Sequence, residues 1–267
     1  MQHGSGDATA ELRDILTRGL IALDEQKKAA RIAEKGTDKK LNPYVSDAGK
    51  CIRQTTYSLM NVEPSEPMTP DSLMNFLVGH AVEEAWAQIL IAQGAEHVRE
   101  ERVSIKAGST VVTGRKDFSG VLLAWGGSIV ELKSTNSRAM GWMLKKGEKG
   151  KADHRRQLNL YLHAEGLERG YLVYCVKDAT KGEPIIHAFL VEYDKGEANN
   201  DLLALGLADT MAKKGALPKI PEGFTQNSFP CTYCSYRTTC WLERSIAFQR
   251  ETIARDNEAN EWMRPDK

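Results

Sequence analysis

Glu131 and Lys133 lie two residues apart in the apolar segment SIVELKS, which has the composition of a β-strand. Side chains at positions i and i+2 of a strand point to the same face of a sheet, so this carboxylate and this ammonium are expected to be neighbours. Two such charges are costly to bury without a partner or a task. A solvated ion pair at the edge of a sheet is the plain alternative interpretation.

A second carboxylate, Asp117 in GRKDFSG, precedes this strand. Two carboxylates can bind Mg²⁺ or Mn²⁺, which polarises a phosphate and acidifies a water molecule. A nearby lysine can orient that water or offset the developing charge. The order of Asp117, Glu131 and Lys133 along the chain therefore indicates phosphodiester hydrolysis that depends on a divalent metal ion.

The register between the two strands decides whether these side chains can meet. If Gly126-Gly127 is a two-residue hairpin loop, Asp117 pairs with Asn136 and faces away from Glu131. We therefore expect a bulge or kink around Ser119-Gly120, or a different hairpin register.

Two predicted helices carry further polar side chains. Gln157 and Tyr161 are four residues apart in ADHRRQLNLYLHAEGLERG and thus lie on one helical face. His80 shares a helical face with Glu83 and Glu84. Taken alone, each feature also fits a structural role, as a core tyrosine, a surface glutamine or a histidine satisfied by hydrogen bonds.

Taken in order, the motifs GH, GRKD, ELK and QLNLY resemble those of the RecB-like nucleases of the PD-(D/E)xK superfamily. The resemblance extends from about residue 44 to residue 240, although TGRKD lacks the proline of the superfamily's name. The metal ligands that it implies are His80, Asp117 and Glu131. It further implies that Lys133 is the catalytic lysine and that Gln157 and Tyr161 contact the substrate near the site.

The five cysteines are unevenly distributed along the chain. Cys231, Cys234 and Cys240 are grouped in CTYCSYRTTC, Cys51 lies far upstream, and Cys175 lies in a predicted strand. An odd number and this grouping disfavour a secreted disulfide framework and favour ligation of a metal or cluster. A structural zinc ion and an iron–sulphur cluster are both compatible with four thiolates.

One cysteine before the nuclease motifs and three after them resemble the iron–sulphur subgroup of the RecB-like nucleases. This subgroup includes the CRISPR-associated RecB-like exonuclease and the AddB nuclease domain. The resemblance implies a structural [4Fe-4S] cluster that joins the start of the domain to its end, with zinc as the alternative. The cysteines that it implies as ligands are Cys51, Cys231, Cys234 and Cys240.

The segment 145–156, KKGEKGKADHRR, is basic although the chain as a whole is neutral. Because it joins the Glu131 strand to the Gln157 helix, it is placed to guide a phosphate backbone to the site. A solvated loop is the alternative interpretation. The predicted nucleic-acid-binding residues are Lys145, Lys146, Lys149, Lys151, Arg155 and Arg156.

The predicted elements that position these residues indicate one α/β domain with appendages. A helix over residues 8–35 is followed by a helix, three strands, a helix, two strands and a helix. The family resemblance implies a restriction-endonuclease-like core, a mixed central sheet flanked by helices, at 41–225. A helical extension at 1–40 would precede it, and the cysteine segment with a C-terminal helix at 226–267 would follow.

The composition limits the possible classes of protein. The 36 basic and 36 acidic residues balance, so there is no overall basic coat for nucleic acid. The 267 residues include no GxxxxGK[ST] phosphate loop and no apolar run of the length needed to cross a bilayer, about 20 residues. The sequence begins without a basic and then apolar signal segment. We therefore expect an intracellular protein without a membrane partner.

Together these features predict a Mg²⁺- or Mn²⁺-dependent deoxyribonuclease. The family resemblance implies exonuclease action on single-stranded DNA or DNA ends, in repair, recombination or CRISPR-type spacer processing. The alternatives are a non-catalytic nucleic-acid-binding module, a zinc-ribbon interaction protein and a structure- or site-specific endonuclease.

Overall fold

The structure is a computed structural model that describes residues 5–37, 39–66, 68–94, 98–123 and 126–246. The chain divides into two compact units. The larger unit comprises Met1–Asn61 and Thr69–Pro218, and the smaller unit comprises Val62–Met68 and Lys219–Lys267. In the described part of the chain, no helix combines the length and the apolar character needed to span a bilayer.

A five-stranded mixed sheet forms the centre of the larger unit. Its strands are β1 (Val98–Ala107), β2 (Thr110–Leu123), β3 (Gly126–Thr135), β4 (Arg169–Val176) and β5 (Ile186–Glu192). They lie side by side in chain order. Strands β3 and β4 are parallel, and the other neighbours are antiparallel. A parallel pair cannot be joined by a tight turn, so the chain crosses over through helices between these two strands.

Helices precede the sheet and cover both of its faces. The α-helices of the larger unit are α1 (Ser5–Lys35), α2 (Ile52–Leu59), α3 (Pro70–Ala92), α4 (Ser137–Lys145), α5 (Ala152–Glu165) and α6 (Lys195–Lys213). On one face, α5 and α6 pack on a core that includes Ile129, Leu158 and Leu172. On the other face, Ala87 of α3 packs against Phe118 and Leu132.

The smaller unit contains α7 (Phe229–Thr232) and a further helical stretch at residues 237–246. Its two chain segments are joined by hydrogen bonds. The Glu66 N–H donates to the Ser235 carbonyl at 2.9 Å, and Thr238 Oγ1 donates to Glu66 Oε1 at 2.6 Å.

The predicted fold class is confirmed as an α/β architecture with a mixed central sheet flanked by helices and an N-terminal helix. One local prediction is wrong: the chain after Thr135, read as the start of a basic loop, forms helix α4. The Asn136 side chain caps this helix by accepting a hydrogen bond from the Ala139 N–H at 2.8 Å. Met140 and Met143 are buried on its inner face, so packing stabilises this helix. In the sequence, the lysines that follow make the same segment look like a solvated loop.

The structure excludes the conditional case of a two-residue loop at Gly126-Gly127. Gly126 pairs with Leu123 and Gly127 with Leu122, so both glycines belong to the ladder. The hairpin therefore has a different register, which was one of the two alternatives expected from the sequence.

Candidate active site

Strand β2 is irregular near Asp117. On its β3 side, the pairing shifts register between Phe118 and Val121. Within this stretch, Gly120 has a φ of 71°, a left-handed conformation that favours glycine. The bulge predicted around Ser119-Gly120 is therefore confirmed.

The Asp117 carboxylate is directed at β3. Its Oδ2 accepts a hydrogen bond from the Leu132 N–H at 2.8 Å, so the side chain acts as an acceptor for the neighbouring strand. Burial is the main cause that raises the pKa of Asp117 well above its ordinary value, and the negative charge of Glu131 raises it further. The two carboxyl groups therefore lie close enough to interact, which a regular ladder around a Gly126-Gly127 loop would have prevented.

Glu131 is fully buried, and its two carboxylate oxygens differ in their surroundings. Oε1 accepts hydrogen bonds from Lys133 Nζ at 2.5 Å and from Gln157 Nε2 at 2.7 Å. Oε2 has no hydrogen-bond partner in the described part of the structure. Burial raises the pKa of Glu131 and the Lys133 charge opposes that effect. One oxygen is thus held by two side chains, whereas the other is buried without such a contact.

Lys133 is the cation beside this carboxylate, as the strand alternation predicts. Burial alone would lower the pKa of its ammonium, but the charges of Glu131 and Asp117 outweigh burial and raise the pKa above its ordinary value. Lys133 is therefore protonated at neutral pH. Its side chain remains 22% exposed and reaches an open cleft.

Helix α5 brings Gln157 and Tyr161 to the same site. Gln157 contacts Glu131, and Tyr161 Oη donates to the Arg115 carbonyl at 2.7 Å and accepts from the Arg115 N–H at 3.3 Å. Tyr161 thereby fixes β2 two residues before Asp117. A side chain at Gly114 would approach Tyr161 Cε1 to 2.9 Å, so glycine is needed for this close packing.

A cleft of about 420 Å³ opens beside Lys133. Helix α3 contributes one wall, and β3 together with the start of α5 contributes the other. The residues that line it are Ser72, Asn75, Phe76, Gly79, His80, Val82, Glu83, Leu132, Lys133, Ser134, Lys151 and His154. A cleft that contains the lysine of the candidate site offers a route by which a substrate can reach it.

Two residues of α3 bear on metal binding. His80, the ligand implied by the family resemblance, has a 59% exposed side chain, and its Nδ1 lies 3.5 Å from Glu83 Oε2. Glu83 is close enough for its charge to raise the pKa of both Asp117 and Glu131. Helical spacing puts Glu83 on the His80 face, but spacing alone did not single it out as a site residue.

The acidic cluster fits a hard divalent cation in its chemistry. Glu131 is a buried and Asp117 a partly buried oxygen donor, desolvation is the main cause that raises both pKa values, and Glu131 Oε2 is unpartnered among the described atoms. A cation would relieve both conditions. Within the described ranges, no three His, Cys, Asp or Glu side chains are close enough together to hold one metal ion, so His80 is not brought into a complete ligand set.

The cysteines are divided between the two units. Cys51 precedes the first residue of α2 in the larger unit, whereas Cys231, Cys234 and Cys240 belong to the smaller unit. All four are partly buried, and the Tyr236 N–H lies 3.4 Å from Cys234 Sγ. The three cysteines of the smaller unit do not form a metal-binding group in the described structure.

The basic segment contains both exposed and engaged cations. Lys145, Lys146, Lys149 and Lys151 are exposed. Arg155 donates to the Gly150 carbonyl at 3.1 Å. Arg156 donates two hydrogen bonds to the buried carboxylate of Asp201, so its guanidinium forms a structural ion pair.

Comparisons with solved structures find several similar chains. The structure of SSO0001 matches with a TM-score of 0.51 and 20% identity over 78% of this chain and 89% of that one. An alkaline exonuclease (LHK-Exo) from Laribacter hongkongensis matches with a TM-score of 0.47 and 12% identity over 65% of this chain and 89% of its own. A phage-related exonuclease from Haemophilus somnus 129PT matches with a TM-score of 0.42 and 12% identity over 66% and 97%.

The chain matches no protein-family model, and no curated protein matches it. At the identity found for SSO0001, the likeness shows the fold alone.

Proposed function

We propose that this protein is a divalent-metal-dependent deoxyribonuclease of the RecB-like PD-(D/E)xK type, which hydrolyses phosphodiester bonds with water as the nucleophile. The observation that carries the proposal is the contact of buried Glu131, near Asp117, with Lys133, which itself lines a cleft. The unpartnered carboxylate oxygen of Glu131 and the ammonium of Lys133 are groups that such a reaction needs.

Asp117 and Glu131 would hold Mg²⁺ or Mn²⁺, with Glu83 or His80 of α3 completing the set of ligands. The bound ion would polarise the phosphate and acidify a water molecule. The proximity of the two carboxylates supports this assignment, because hard cations prefer oxygen donors.

The protein's own side chains have separable tasks in this scheme. The Lys133 ammonium offsets negative charge that develops on the phosphate. Gln157 holds Glu131 Oε1 and so directs Oε2 toward the site. Tyr161 fixes the backbone of β2 through Arg115. Gln157 and Tyr161 thus hold Glu131 and the backbone next to Asp117 in place, and Lys133 lines the cleft.

We further propose that the substrate is single-stranded DNA or a DNA end and that cleavage is exonucleolytic, in repair, recombination or spacer processing. Lys151 lines the cleft, and the exposed lysines at 145, 146 and 149 precede it in the same basic segment, where they could contact a phosphate backbone. Replacing Lys145, Lys146 and Lys149 together by Ala should reduce the slope of log affinity against log salt by about 0.7 for each phosphate that these lysines neutralise. An unchanged slope would show that these lysines do not contact the DNA backbone.

The decisive experiment compares Glu131→Gln with Glu192→Gln, an exposed carboxylate on β5. Both proteins are incubated with Mn²⁺ or Mg²⁺ and with linear single strands labelled at either end. Glu131→Gln should lower kcat by at least about 100-fold and retain DNA binding, whereas Glu192→Gln should match the unmodified protein. Hydrolysis that survives in Glu131→Gln, or that needs no divalent metal, would refute the proposal. Cleavage of a covalently closed circle would instead identify an endonuclease.

The iron–sulphur cluster stays a prediction from the sequence. The described structure does not assemble its cysteines into a binding group, so no step of the proposed function depends on it. Anaerobically purified protein that contains iron, with visible absorption that bleaches on reduction, would support the cluster. A colourless protein with one zinc ion would favour the zinc alternative.

A further inference from the structure

His154, in the first turn of α5, is paired with Tyr174 of β4. His154 Nδ1 and Tyr174 Oη are 2.8 Å apart, and the two ring centroids are separated by 5.8 Å. Tyr174 is fully buried, whereas His154 keeps 21% of its side chain exposed and lines the cleft together with Lys133. The pair lies beside the candidate active site, but neither residue has a task in the scheme above.

A second contact of Tyr174 determines which nitrogen of His154 carries the proton. The Lys151 N–H, which can only donate, lies 2.9 Å from Tyr174 Oη and occupies one of its lone pairs. The hydroxyl proton is then directed to His154 Nδ1, which makes Nδ1 an acceptor and places the ring proton on Nε2. The opposite tautomer would leave the buried hydroxyl proton without an acceptor among the described groups, which is costly.

The pair is neutral at physiological pH. Burial, followed by the Lys133 charge, lowers the pKa of His154 to about 3, and burial raises the pKa of Tyr174 to about 12. The charged groups around His154 are Lys133 of β3, Lys50 ahead of α2, and Lys151 and Asp153 at the start of α5. Nε2 lies 3.9 Å from Asp153 Oδ2, too far for a hydrogen bond. The Nε2–H therefore remains available to a ligand.

The wall of the cleft around His154 favours an anion. It presents the ammonium groups of Lys133 and Lys151 and the hydroxyl of Ser134, whereas Glu83 belongs to the α3 wall. Cations and hydrogen-bond donors grouped on one wall match the oxygens of a phosphodiester. A neutral donor adds a directed hydrogen bond to these charges without adding to the repulsion between them.

We propose that the Nε2–H of His154 donates to a non-bridging oxygen of a DNA phosphate next to the scissile one, and that Tyr174 fixes the tautomer that makes this possible. The inference rests on the proposed function because it assumes a DNA strand in the cleft. His154 is thus a substrate-binding residue, and Tyr174 is a positioning residue.

The test measures DNA affinity without divalent metal, by fluorescence anisotropy in EDTA, together with KM and kcat in Mn²⁺. His154→Ala should weaken Kd and raise KM about tenfold, the loss of one hydrogen bond to a charged group, with kcat changed less than about threefold. His154→Gln places an amide N–H near the position of Nε2 and should retain affinity within about threefold. His154→Asn places its amide near Nδ1 and should behave like His154→Ala.

A neutral methylphosphonate linkage identifies the contacted group. At one position of the strand, this linkage should abolish the difference in affinity between His154→Ala and the unmodified protein. An undiminished difference at every position would show that His154 does not bind a phosphate and would overturn the proposal. Equal affinities of all three His154 variants and the unmodified protein would overturn it as well.

The role of Tyr174 has its own readout. Nitrogen-15 NMR of the histidine ring should show the Nε2–H tautomer at neutral pH, and Tyr174→Phe should give a mixture of tautomers and a Kd weakened by about twofold to fivefold. A ring proton on Nδ1 in the unmodified protein would contradict the proposal. Because affinity is measured in EDTA, the two proposals can fail separately. A protein that binds DNA through His154 but does not hydrolyse it would refute the proposed function and leave this inference standing.

Discussion

The Leu132 N–H donates to Asp117 Oδ2 over 2.8 Å, so an acidic side chain of β2 serves as a hydrogen-bond acceptor for β3. Leu132 lies between Glu131 and Lys133, so this one bond fixes Asp117 beside the residues with which it would act. The acceptor role needs an oxygen, whereas the role of a metal ligand needs a negative charge. Substitution with asparagine separates the two.

Asp117→Asn is expected to stabilise the metal-free protein at neutral pH. Burial and the Glu131 charge raise the pKa of Asp117, so the native state binds a proton more tightly than the unfolded state does. Stability is therefore lost as the pH rises from the unfolded pKa, about 4, toward the raised native pKa, and each unit of difference contributes about 1.4 kcal/mol. Asparagine keeps the acceptor for Leu132 and avoids this loss.

Thermal unfolding in EDTA from about pH 5 to about pH 8 checks this expectation. The Tm difference between Asp117→Asn and the unmodified protein should widen as the pH rises, and added Mn²⁺ should raise the Tm of the unmodified protein only. Asp178→Asn is the matched control because hydrogen bonds from Ser137 lower the pKa of Asp178, so its substitution should not stabilise. An Asp117→Asn protein no more stable than the unmodified one at the upper pH would contradict the argument.

Glu83→Gln is expected to weaken Mn²⁺ binding by about tenfold or more. Glu83 lines the cleft, and its charge acts on both Asp117 and Glu131. The adjacent Glu84 is engaged instead with Arg99 at 2.9 Å and Gln88 at 3.2 Å, and Glu84→Gln removes the same charge away from the site. Electron paramagnetic resonance of free Mn²⁺ during a titration distinguishes them. Equal losses in both variants would show that net charge, and not position, sets the affinity.

Gln157→Ala is expected to lower kcat about 10- to 100-fold with little change in Tm, because Gln157 orients Glu131 without being essential to the core. Tyr161→Phe should instead reduce stability more than it reduces kcat. Its hydroxyl bonds the backbone of Arg115, so its loss should lower the free energy of unfolding by about 1 kcal/mol with a smaller effect on kcat. Parallel kinetics and denaturant unfolding test the pair, and an unchanged kcat for Gln157→Ala would sink the proposed role.

Gly114→Ala is expected to destabilise the protein by about 1–3 kcal/mol through overpacking. A Cβ at this position would lie 2.8 Å from Val45 Cγ2 and 2.9 Å from Tyr161 Cε1. Gly141→Ala is the control, because a Cβ in the middle of α4 meets no atom within 4 Å and alanine favours a helix. Urea denaturation should move the two midpoints in opposite directions. An unchanged urea midpoint for Gly114→Ala would mean that Tyr161 can shift without loss of stability.

Local rules predicted the centre of the site. The i and i+2 spacing placed Glu131 and Lys133 on one face, and the hairpin arithmetic required a bulge or a different register if Asp117 was to join them. The i and i+4 spacing placed Gln157 and Tyr161 on one helical face. Each of these inferences depends on the geometry of one or two adjacent elements, which the sequence encodes directly.

Residues that depend on distant partners were beyond such rules. The charge of Arg156 makes it a candidate for binding DNA, but Asp201 of α6 binds its guanidinium. Glu83 differs from Glu84 only in the direction that packing of α3 gives it. His154 became informative only through Tyr174, 20 residues later in β4. The sequence shows that these residues are polar, whereas tertiary contacts decide which of them face the cleft.

The strand order of the sheet follows the chain from β1 to β5, so every ladder joins strands consecutive in the sequence. During synthesis each new strand can therefore add to an edge that already exists, without insertion between earlier strands. Asp117 and Glu131 are brought together once β3 has paired with β2, whereas Gln157 and His154 follow later in the chain with α5. Lys133 lies on β3 as well, so the charged groups of the site come together when the first three strands have paired, and α5 then adds the neutral amide of Gln157.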